Sequence, residues 1–213
     1  SQFSPPDTIV VTNDKRNNNL IEWSFVEGAS SYNLYANGKL QTNTTKNTIN
    51  LKSLKWDTDY SYYITSLTED GVEGPQSPAY SVKTPRIYVI EGVLIDETGD
   101  EKNVDQAKVF LYDSSGTELM GDDIVSRNGK FRLDNEIIAN HYTIMAYGNG
   151  SGNGGERVQI DNSDIEGLRI SLSTDGLRSE VWVERGVGQL TVHWSDIPQA
   201  KSYNIYKNDR LIQ

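Results

Sequence analysis

Short runs of alternating apolar and polar residues recur along the chain and are separated every eight to twelve residues by Gly, Asn, Asp or Pro. Side chains alternate between the two faces of a β-strand, so the run at 20–25 places Ile21 and Trp23 on one face. The run at 32–36 places Tyr32 and Leu34 on one face in the same way. No helical period extends beyond two turns. The pattern predicts an all-β protein whose side chains at these positions face a core.

One stretch of the pattern occurs twice in the sequence. Residues 21–40 read IEWSFVEGASSYNLYANGKL, and residues 192–211 read VHWSDIPQAKSYNIYKNDRL. A constant shift of 171 residues aligns Trp23 with Trp194, Tyr32 with Tyr203, Asn33 with Asn204 and Tyr35 with Tyr206. A repeat of this kind indicates a module that is used more than once.

The repeat and the spacing of the strands divide the 213 residues into three modules. We place the first at residues 1–85 and the second at 86–174, each near the usual size of a small domain. The remaining residues, 175–213, are too few for another complete module. Because Pro85 lies in a short junction, which restricts a hinge, we expect tandem immunoglobulin-like β-sandwiches arranged as a rod.

The first module has an ordered set of signatures. These are Trp23 in the second strand, Tyr32 and Leu34 in the third, Leu54 and Tyr60 at a corner, and Thr84-Pro85 at the end. Over its whole length the module resembles a fibronectin type III domain. The resemblance implies that the hydroxyl group of Tyr60 ties the corner to nearby backbone.

The second module has four signatures in order. They are Gly92-Val93, then Ala107, Val109 and Leu111, then Gly129, Phe131 and Leu133, then Tyr142 and Ile144. This series resembles the carboxypeptidase regulatory-like, transthyretin-type β-sandwich. Families with both module types commonly carry catalytic or sugar-binding domains elsewhere, so the resemblance implies that the chain presents other domains.

Residues 175–213 match the first three strands of a second fibronectin-like copy, with Tyr203 and Ile205 in the third of these strands. Three strands alone leave Trp194 and Tyr203 uncovered and expose strand edges. We therefore expect the chain to be part of a longer polypeptide. The alternative is completion by another copy through strand exchange or strand addition, which gives a dimer or a fibre.

Composition removes several classes of partner and chemistry. The net charge of −10 disfavours nucleic acid and anionic membrane surfaces, because binding to them needs clustered Lys and Arg. The chain has no cysteine, which excludes disulfides, thiolate metal sites and a cysteine nucleophile. No run is long enough to span a bilayer, and we expect neither membrane insertion nor a cofactor.

Three aromatic residues are candidates for ligand binding. Alternation points Tyr35 and Tyr63 outward on neighbouring strands, where they are candidates for contact with a polysaccharide or a protein, and Trp56 is a third candidate. The competing interpretation is that exposed tyrosines on adjacent strands only stabilise the sheet.

Four acidic loop residues of the second module, Asp96, Asp100, Asp161 and Asp164, are candidates for calcium binding, because calcium prefers oxygen ligands. No stretch has the twelve-residue EF-hand spacing, so we favour solvated loops and predict no metal site. The glycine-rich run at 148–155 has neither the lysine nor the helix of a phosphate loop, and we interpret it as a mobile hairpin tip.

No catalytic arrangement is evident in the sequence. The two histidines, His141 and His193, lie 52 residues apart in different modules. The sequence therefore predicts a non-catalytic spacer that is extracellular or at the cell surface and contacts other domains of its own polypeptide. The alternatives are an adhesion module that binds carbohydrate or protein and a subunit of a self-assembling filament or phage-type appendage.

Overall fold

The computed structural model describes residues 3–14, 16–100, 104–121, 126–174, 181–194, 201–208 and 210–212. All regular structure in these residues is β, which confirms the predicted fold class of immunoglobulin-like β-sandwiches. None of them forms a helix of the length and apolar character needed to cross a membrane. The chain divides into two compact units, Ser1–Ile87 and Tyr88–Gln213.

Seven strands form the first unit within its described residues. They are β1 Val10–Asn13, β2 Asn19–Glu22, β3 Ser31–Ala36, β4 Lys39–Thr44, β5 Thr48–Leu51, β6 Asp59–Leu67 and β7 Tyr80–Lys83. One sheet has the order β1-β2-β5 and the other has the order β4-β3-β6-β7. All pairs within the two sheets are antiparallel. Two sheets of three and four strands with a shared core are a β-sandwich of the fibronectin type III-like kind.

The core of the first unit contains the predicted aromatic pair. Trp23 is 3% exposed and Tyr32 is 2% exposed, and their rings meet edge to face with centroids 5.5 Å apart. Tyr62 and Ile64 of β6 are fully buried against them in the same cluster. The alternation read from the sequence therefore predicted which side chains face inward.

A tight turn and a side-chain hydrogen bond fix the ends of two strands. Asn37 and Gly38 join β3 to β4 with positive φ values of 49° and 75°, the backbone that a tight hairpin turn requires and that Asn and Gly tolerate. At the corner before β6, the backbone N–H of Lys55 donates to Tyr60 Oη at 3.1 Å. The tie between the Tyr60 hydroxyl and the corner backbone is therefore present.

In the part of the second unit that the structure describes up to residue 174, seven strands form two sheets. They are β8 Tyr88–Ile95, β9 Lys108–Asp113, β10 Glu118–Met120, β11 Lys130–Ile137, β12 Asn140–Tyr147, β13 Asn153–Ile160 and β14 Ile165–Ser171. The sheets have the orders β11-β8-β14 and β10-β9-β12-β13. The pair of β8 and β14 is parallel, and the other pairs are antiparallel.

Strands β9 and β12 are buried on both of their faces. One face supplies the main core with Val109, Leu111 and Ile144. The opposite face forms a second cluster of buried side chains, in which Phe110 and Met145 take part. A strand buried on both sides has a continuous apolar run instead of an alternating one, which fits the sequence VFLY at 109–112.

The glycine-rich run forms a hairpin whose tip is shorter than we predicted, because β13 already begins at Asn153. The remaining glycines of the run, Gly154 and Gly155, pair with Ala146 and Met145 of β12. A Cβ atom on Gly154 would lie 2.0 Å from the carbonyl oxygen of Ser171. Glycine is therefore required there by the close approach of two backbones.

The described residues after position 180 form two short hairpins. They consist of β15 Val181–Gly186 with β16 Gln189–Trp194, and of β17 Tyr206–Lys207 with β18 Arg210–Leu211. The boundary that we predict after residue 174 adjoins residues 175–180, which lie outside the described part of the chain.

The second copy of the repeat is less enclosed than the first. The rings of Trp194 and Tyr203 lie 5.7 Å apart and are only half-buried. We predicted that Tyr203 and Ile205 lie in the third strand of this copy, but β17 begins only at Tyr206 and does not include them. In the first unit β3 is paired on both sides, whereas β17 pairs with β18 alone among the described residues.

Candidate functional site

The outer face of sheet β4-β3-β6-β7 has a row of apolar side chains. Tyr35 of β3 lies directly opposite Tyr63 of β6 and opposite Leu40 of β4. The two tyrosine rings stack with centroids 4.6 Å apart and planes inclined by 11°. Because they pack face against face, the rings do not form one flat platform. A ligand on this surface would contact the outer face or the hydroxyl edge of the pair.

A carboxylate lies beside the tyrosine pair. Glu73, on the segment between β6 and β7, forms an isolated bridge with Leu67 at the end of β6. Its Oε1 accepts a hydrogen bond of 2.7 Å from the hydroxyl of Tyr35 and another from the hydroxyl of Thr65. Asn33 Nδ2 donates to the same oxygen at 3.1 Å. Three donors from two strands thus hold the Glu73 carboxylate in one place.

The hydrogen bonds continue from Glu73 toward the edge strand β4. Asn43 Nδ2 donates to Asn33 Oδ1 at 2.9 Å and to Ser31 Oγ at 3.1 Å. Asn33 therefore accepts from Asn43 and donates to Glu73 in one orientation of its amide. Through Asn33, the hydrogen bonds of Asn43 on β4 thus help to fix the position of Glu73.

The same contacts shift two pKa values. The hydrogen bond from Thr65, together with those from Tyr35 and Asn33, holds the pKa of Glu73 below its ordinary value of 4.5, although burial opposes this decrease. The hydrogen bond to Glu73 raises the pKa of Tyr35, and burial adds to the increase. At neutral pH the site therefore holds a charged carboxylate and a protonated tyrosine.

We expect the charged Glu73 to stabilise the first unit in a pH-dependent way. Because the folded state lowers the pKa of Glu73 below 4.5, this stabilisation is fully present above pH 4.5 and is lost as the pH falls through the lower folded pKa. Glu73→Gln should destabilise the unit at pH 6, and its difference from the wild type should shrink toward pH 3. Calorimetry across this range measures the difference.

Glu69→Gln is the matched control, since Glu69 is exposed on the same connection between β6 and β7. It should leave the pH dependence of unfolding close to that of the wild type. Equal pH dependence of the Glu73→Gln variant and the wild type would contradict the role assigned to the Glu73 carboxylate.

The third aromatic candidate lies apart from this face. Trp56 is half-buried in the turn that precedes β6, where its carbonyl oxygen accepts a hydrogen bond from the Thr58 hydroxyl at 2.8 Å. Thr84 supports the same turn by donating to the carbonyl of Lys55 at 2.6 Å. The structure thus brings Tyr35 and Tyr63 together and leaves Trp56 at the tyrosine corner.

The calcium candidates take part in local hydrogen bonds. Asp96 Oδ1 accepts from the backbone N–H groups of Thr98 and Asp100, which closes the turn after β8. Asp164 Oδ1 accepts from the backbone of Val89 at 3.0 Å, and Asp161 accepts from the Gln159 side chain at 2.8 Å. Within the described residues, no group of three or more His, Cys, Asp or Glu side chains could hold a metal ion.

The two histidines occupy separate places in the second unit. His141 is exposed on β12. His193 Nε2 on β16 lies 3.3 Å from Glu184 Oε2 on β15, so the pair links neighbouring strands of one hairpin.

The sequence pattern places Tyr35 and Tyr63 side by side on an outward face, and the structure has them there, but the pattern does not single out Glu73. The period-two pattern and the pairing of two strands were enough to place the tyrosines. Glu73 is separated by 40 residues from Asn33 and by 8 from Thr65, and no motif marks it among the acidic residues of the loops. Only the packing of its segment against β6 places it over the outer face.

The two sheets around one core give the first unit a fibronectin type III-like fold. No family model matches the sequence. No curated protein matches it either. Several solved structures are similar to this chain.

The fibronectin type III domain of human fibronectin type III domain containing protein 3 is 21% identical, with 39% of this chain and 87% of that chain covered and a TM-score of 0.34. BcpA, the major pilin subunit of Bacillus cereus, is 15% identical, with coverages of 81% and 66% and a TM-score of 0.41. The family 28 exopolygalacturonase of Yersinia enterocolitica is 14% identical, with 42% of this chain covered and a TM-score of 0.37. This chain spans 22% of the exopolygalacturonase chain.

Proposed function

We propose that the chain is a non-catalytic spacer of a multidomain secreted or cell-surface protein and that it transmits tension while it holds other domains of the polypeptide apart. The observation that carries this proposal is the parallel pairing of β8 with β14. These are the first and the last strands of the seven-stranded sandwich in the second unit. The covalent chain therefore enters and leaves this sandwich through two strands that are bonded to each other.

The direction of these strands decides how the sandwich responds to tension. In a parallel pair, the start of one strand and the end of the other lie at opposite ends of the ladder. A pull on both ends therefore slides the strands past each other and loads their hydrogen bonds together. The ladder runs from Ile90 and Ile165 to Ile95 and Ser171, so rupture must break several bonds at once.

The buried side chains support the same proposal. Each unit has a main core of its own, with Ile21, Tyr62 and Ile64 fully buried in the first and Ile90 and Leu133 fully buried in the second. A spacer needs modules that stay folded without a ligand, and separate apolar cores provide this stability.

For the second sandwich we propose membership of the carboxypeptidase regulatory-like, transthyretin-type group. In support, its signatures fall on paired strands: Gly92 on β8, Leu111 on β9, Phe131 on β11 and Ile144 on β12. Gly92 lies opposite Phe131 in the ladder between β8 and β11. The first and third signatures thus meet within one sheet.

Force spectroscopy on the full chain, held between marker domains, tests the load-bearing role. We expect the sandwich of the second unit to unfold in one discrete event and at higher force than the first unit. In a variant with Val93→Cys and Arg169→Cys, which are directly paired residues on β8 and β14, a disulfide should close under oxidation because neighbouring strands have suitable spacing. The wild-type chain has no cysteine, so no other disulfide competes.

The disulfide should shorten this event by roughly 250 Å, the extended length of the residues between positions 93 and 169. Reduction should restore the full length. Gradual extension of the second unit at low force, without a discrete event, would contradict the load-bearing role.

Self-association through residues 175–213 is the competing hypothesis for this part of the chain. Leu190 and Val192 of β16 and Leu211 of β18 are exposed, which gives this segment apolar surface for another copy. Sedimentation velocity over a range of concentrations separates the two hypotheses. A spacer should remain monomeric, whereas strand exchange predicts dimers or longer assemblies.

A further inference from the structure

The outer face of sheet β4-β3-β6-β7 carries a preorganised polar group beside an apolar row. Tyr35, Thr65 and Asn33 all donate to Glu73 Oε1. Leu40, Tyr35 and Tyr63 form the row across β4, β3 and β6. Since the hydrogen bonds of the protein already hold the carboxylate, binding of a ligand there carries little entropic cost for ordering this side chain.

Two polar atoms of this face remain open to a ligand. Among the described residues, no group donates a hydrogen bond to Glu73 Oε2, because all three donors converge on Oε1. The hydroxyl of Tyr63 likewise has no hydrogen-bond partner within the described part of the chain, although its ring stacks on that of Tyr35. The carboxylate oxygen can only accept a hydrogen bond, and the tyrosine hydroxyl can donate and accept.

These two atoms define the chemistry of the ligand. A hydroxyl group donates to the carboxylate oxygen, and a second hydroxyl group accepts the proton of Tyr63 or donates to its oxygen. The C–H face of a sugar ring is apolar and can cover an exposed aromatic face. We propose that Glu73, Tyr35 and Tyr63 form a shallow binding site for a neutral saccharide, with Leu40 at its border.

The same groups discriminate against other ligands. An ammonium or guanidinium group could pair with Glu73, lie over a tyrosine ring and donate to the Tyr63 oxygen, but it leaves the proton of the Tyr63 hydroxyl without an acceptor. A uronic acid would bring a second carboxylate toward Glu73, in a chain whose net charge is −10. Like charges at short distance repel, so polysaccharides of uronic acids should bind least.

Affinity electrophoresis of the full chain in gels that contain polysaccharide tests this site. The neutral probes are glucans, galactans and mannans, and the acidic probes are polygalacturonate and hyaluronate. We expect at least one neutral polymer to retard the chain and the acidic polymers to leave its mobility unchanged.

Glu73→Gln and Tyr63→Phe should each weaken the retardation at least about tenfold, which is the effect of losing one hydrogen bond of about 1.4 kcal/mol. The Tyr63→Phe change is diagnostic because it keeps the stacked ring and removes a hydroxyl without a protein partner. Tyr80→Ala is the control. Tyr80 is partly exposed on β7 and is paired with the inward-facing Tyr62, so its side chain lies on the opposite face of the sheet from Tyr63. It should leave the retardation unchanged.

Retardation by none of the neutral polymers, a preference for the acidic polymers, or unchanged retardation of both site variants would each overturn the saccharide site. Binding of a protein carrying a basic peptide, without any binding of saccharide, would also overturn it. None of these results bears on the mechanical role, which the force measurement tests separately.

Discussion

Replacing Trp23 by alanine is expected to lower the free energy of unfolding of the first unit by about 3–5 kcal/mol. The indole is 3% exposed and packs on Tyr32, so the change leaves a cavity in a small core. Its Nε1 has no hydrogen-bond partner in the described residues, and the loss is therefore one of packing. Hydrogen exchange of peptides from β3 and β6, followed by mass spectrometry, reports the stability of this unit alone.

The internal repeat supplies a matched control for this substitution. Trp194 occupies the equivalent position and also contacts a tyrosine, but it is only half-buried. Trp194→Ala should therefore destabilise its own segment by about 1 kcal/mol, a typical value for a partly exposed site. Equal losses at both positions would show that Trp194 is as enclosed in solution as Trp23 is, which would argue for coverage by another chain.

The second large effect is expected for Gly92→Ala in the middle of β8. A Cβ atom there would lie 2.4 Å from the carbonyl oxygen of Leu168 and 2.7 Å from the Phe131 ring. Both neighbours belong to strands that pair with β8, so backbone as well as side chain must shift. We expect a loss of about 2–3 kcal/mol and a decrease of roughly 10–20 °C in the Tm of the second unit, measured by calorimetry.

Gly74→Ala controls for the loss of a glycine in general. A Cβ atom on Gly74 would contact Phe3 and the carbonyl of Ser66 at 3.4 Å, an ordinary van der Waals distance. The variant should unfold within about 0.5 kcal/mol of the wild type. A wild-type Tm for Gly92→Ala would mean that β14 can move away from β8 at little cost, and it would weaken the argument for a load-bearing pair.

The sequence predicted the first unit well because its signals are local. Ile21, Trp23, Tyr32 and Leu34 alternate, and each points to the face that the pattern predicts. Asn37 and Gly38 dictate a hairpin turn through their tolerance of positive φ. Pattern and turn chemistry both act over a few residues, and one sequence contains all the information that they need.

Features that depend on distant contacts were not predicted. The second apolar cluster of β9 and β12, which contains Phe110 and Met145, lies on a face that alternation would leave in solvent. Composition predicts that Gly154 and Gly155 belong to a mobile hairpin tip, but both lie in a strand that is paired with β12. The nearby carbonyl of Ser171 explains why glycine is needed at position 154. Glu73 is likewise placed by tertiary packing alone.

The proposed mechanical and binding roles make separate demands on the molecule. Tension along the chain acts on the ladder of β8 and β14, whereas the saccharide site lies on an outer face of the first unit, next to Tyr63. Residues of the site can therefore change without altering the strands that bear force in the second unit. This separation allows each proposal to fail on its own measurement.

The difference in exposure between the four-stranded sheets of the two units has a consequence for protein engineering. In the first unit, the outer face of the four-stranded sheet is accessible at Tyr35, Leu40 and Tyr63, whereas Asn33 and Thr65 on the same face are buried. Codons for the three accessible positions could therefore be randomised to select new binding specificities. In the second unit, β9 and β12 have buried side chains on both faces. A library built on those strands would mostly yield unfolded variants, and the first unit is the scaffold that the architecture favours.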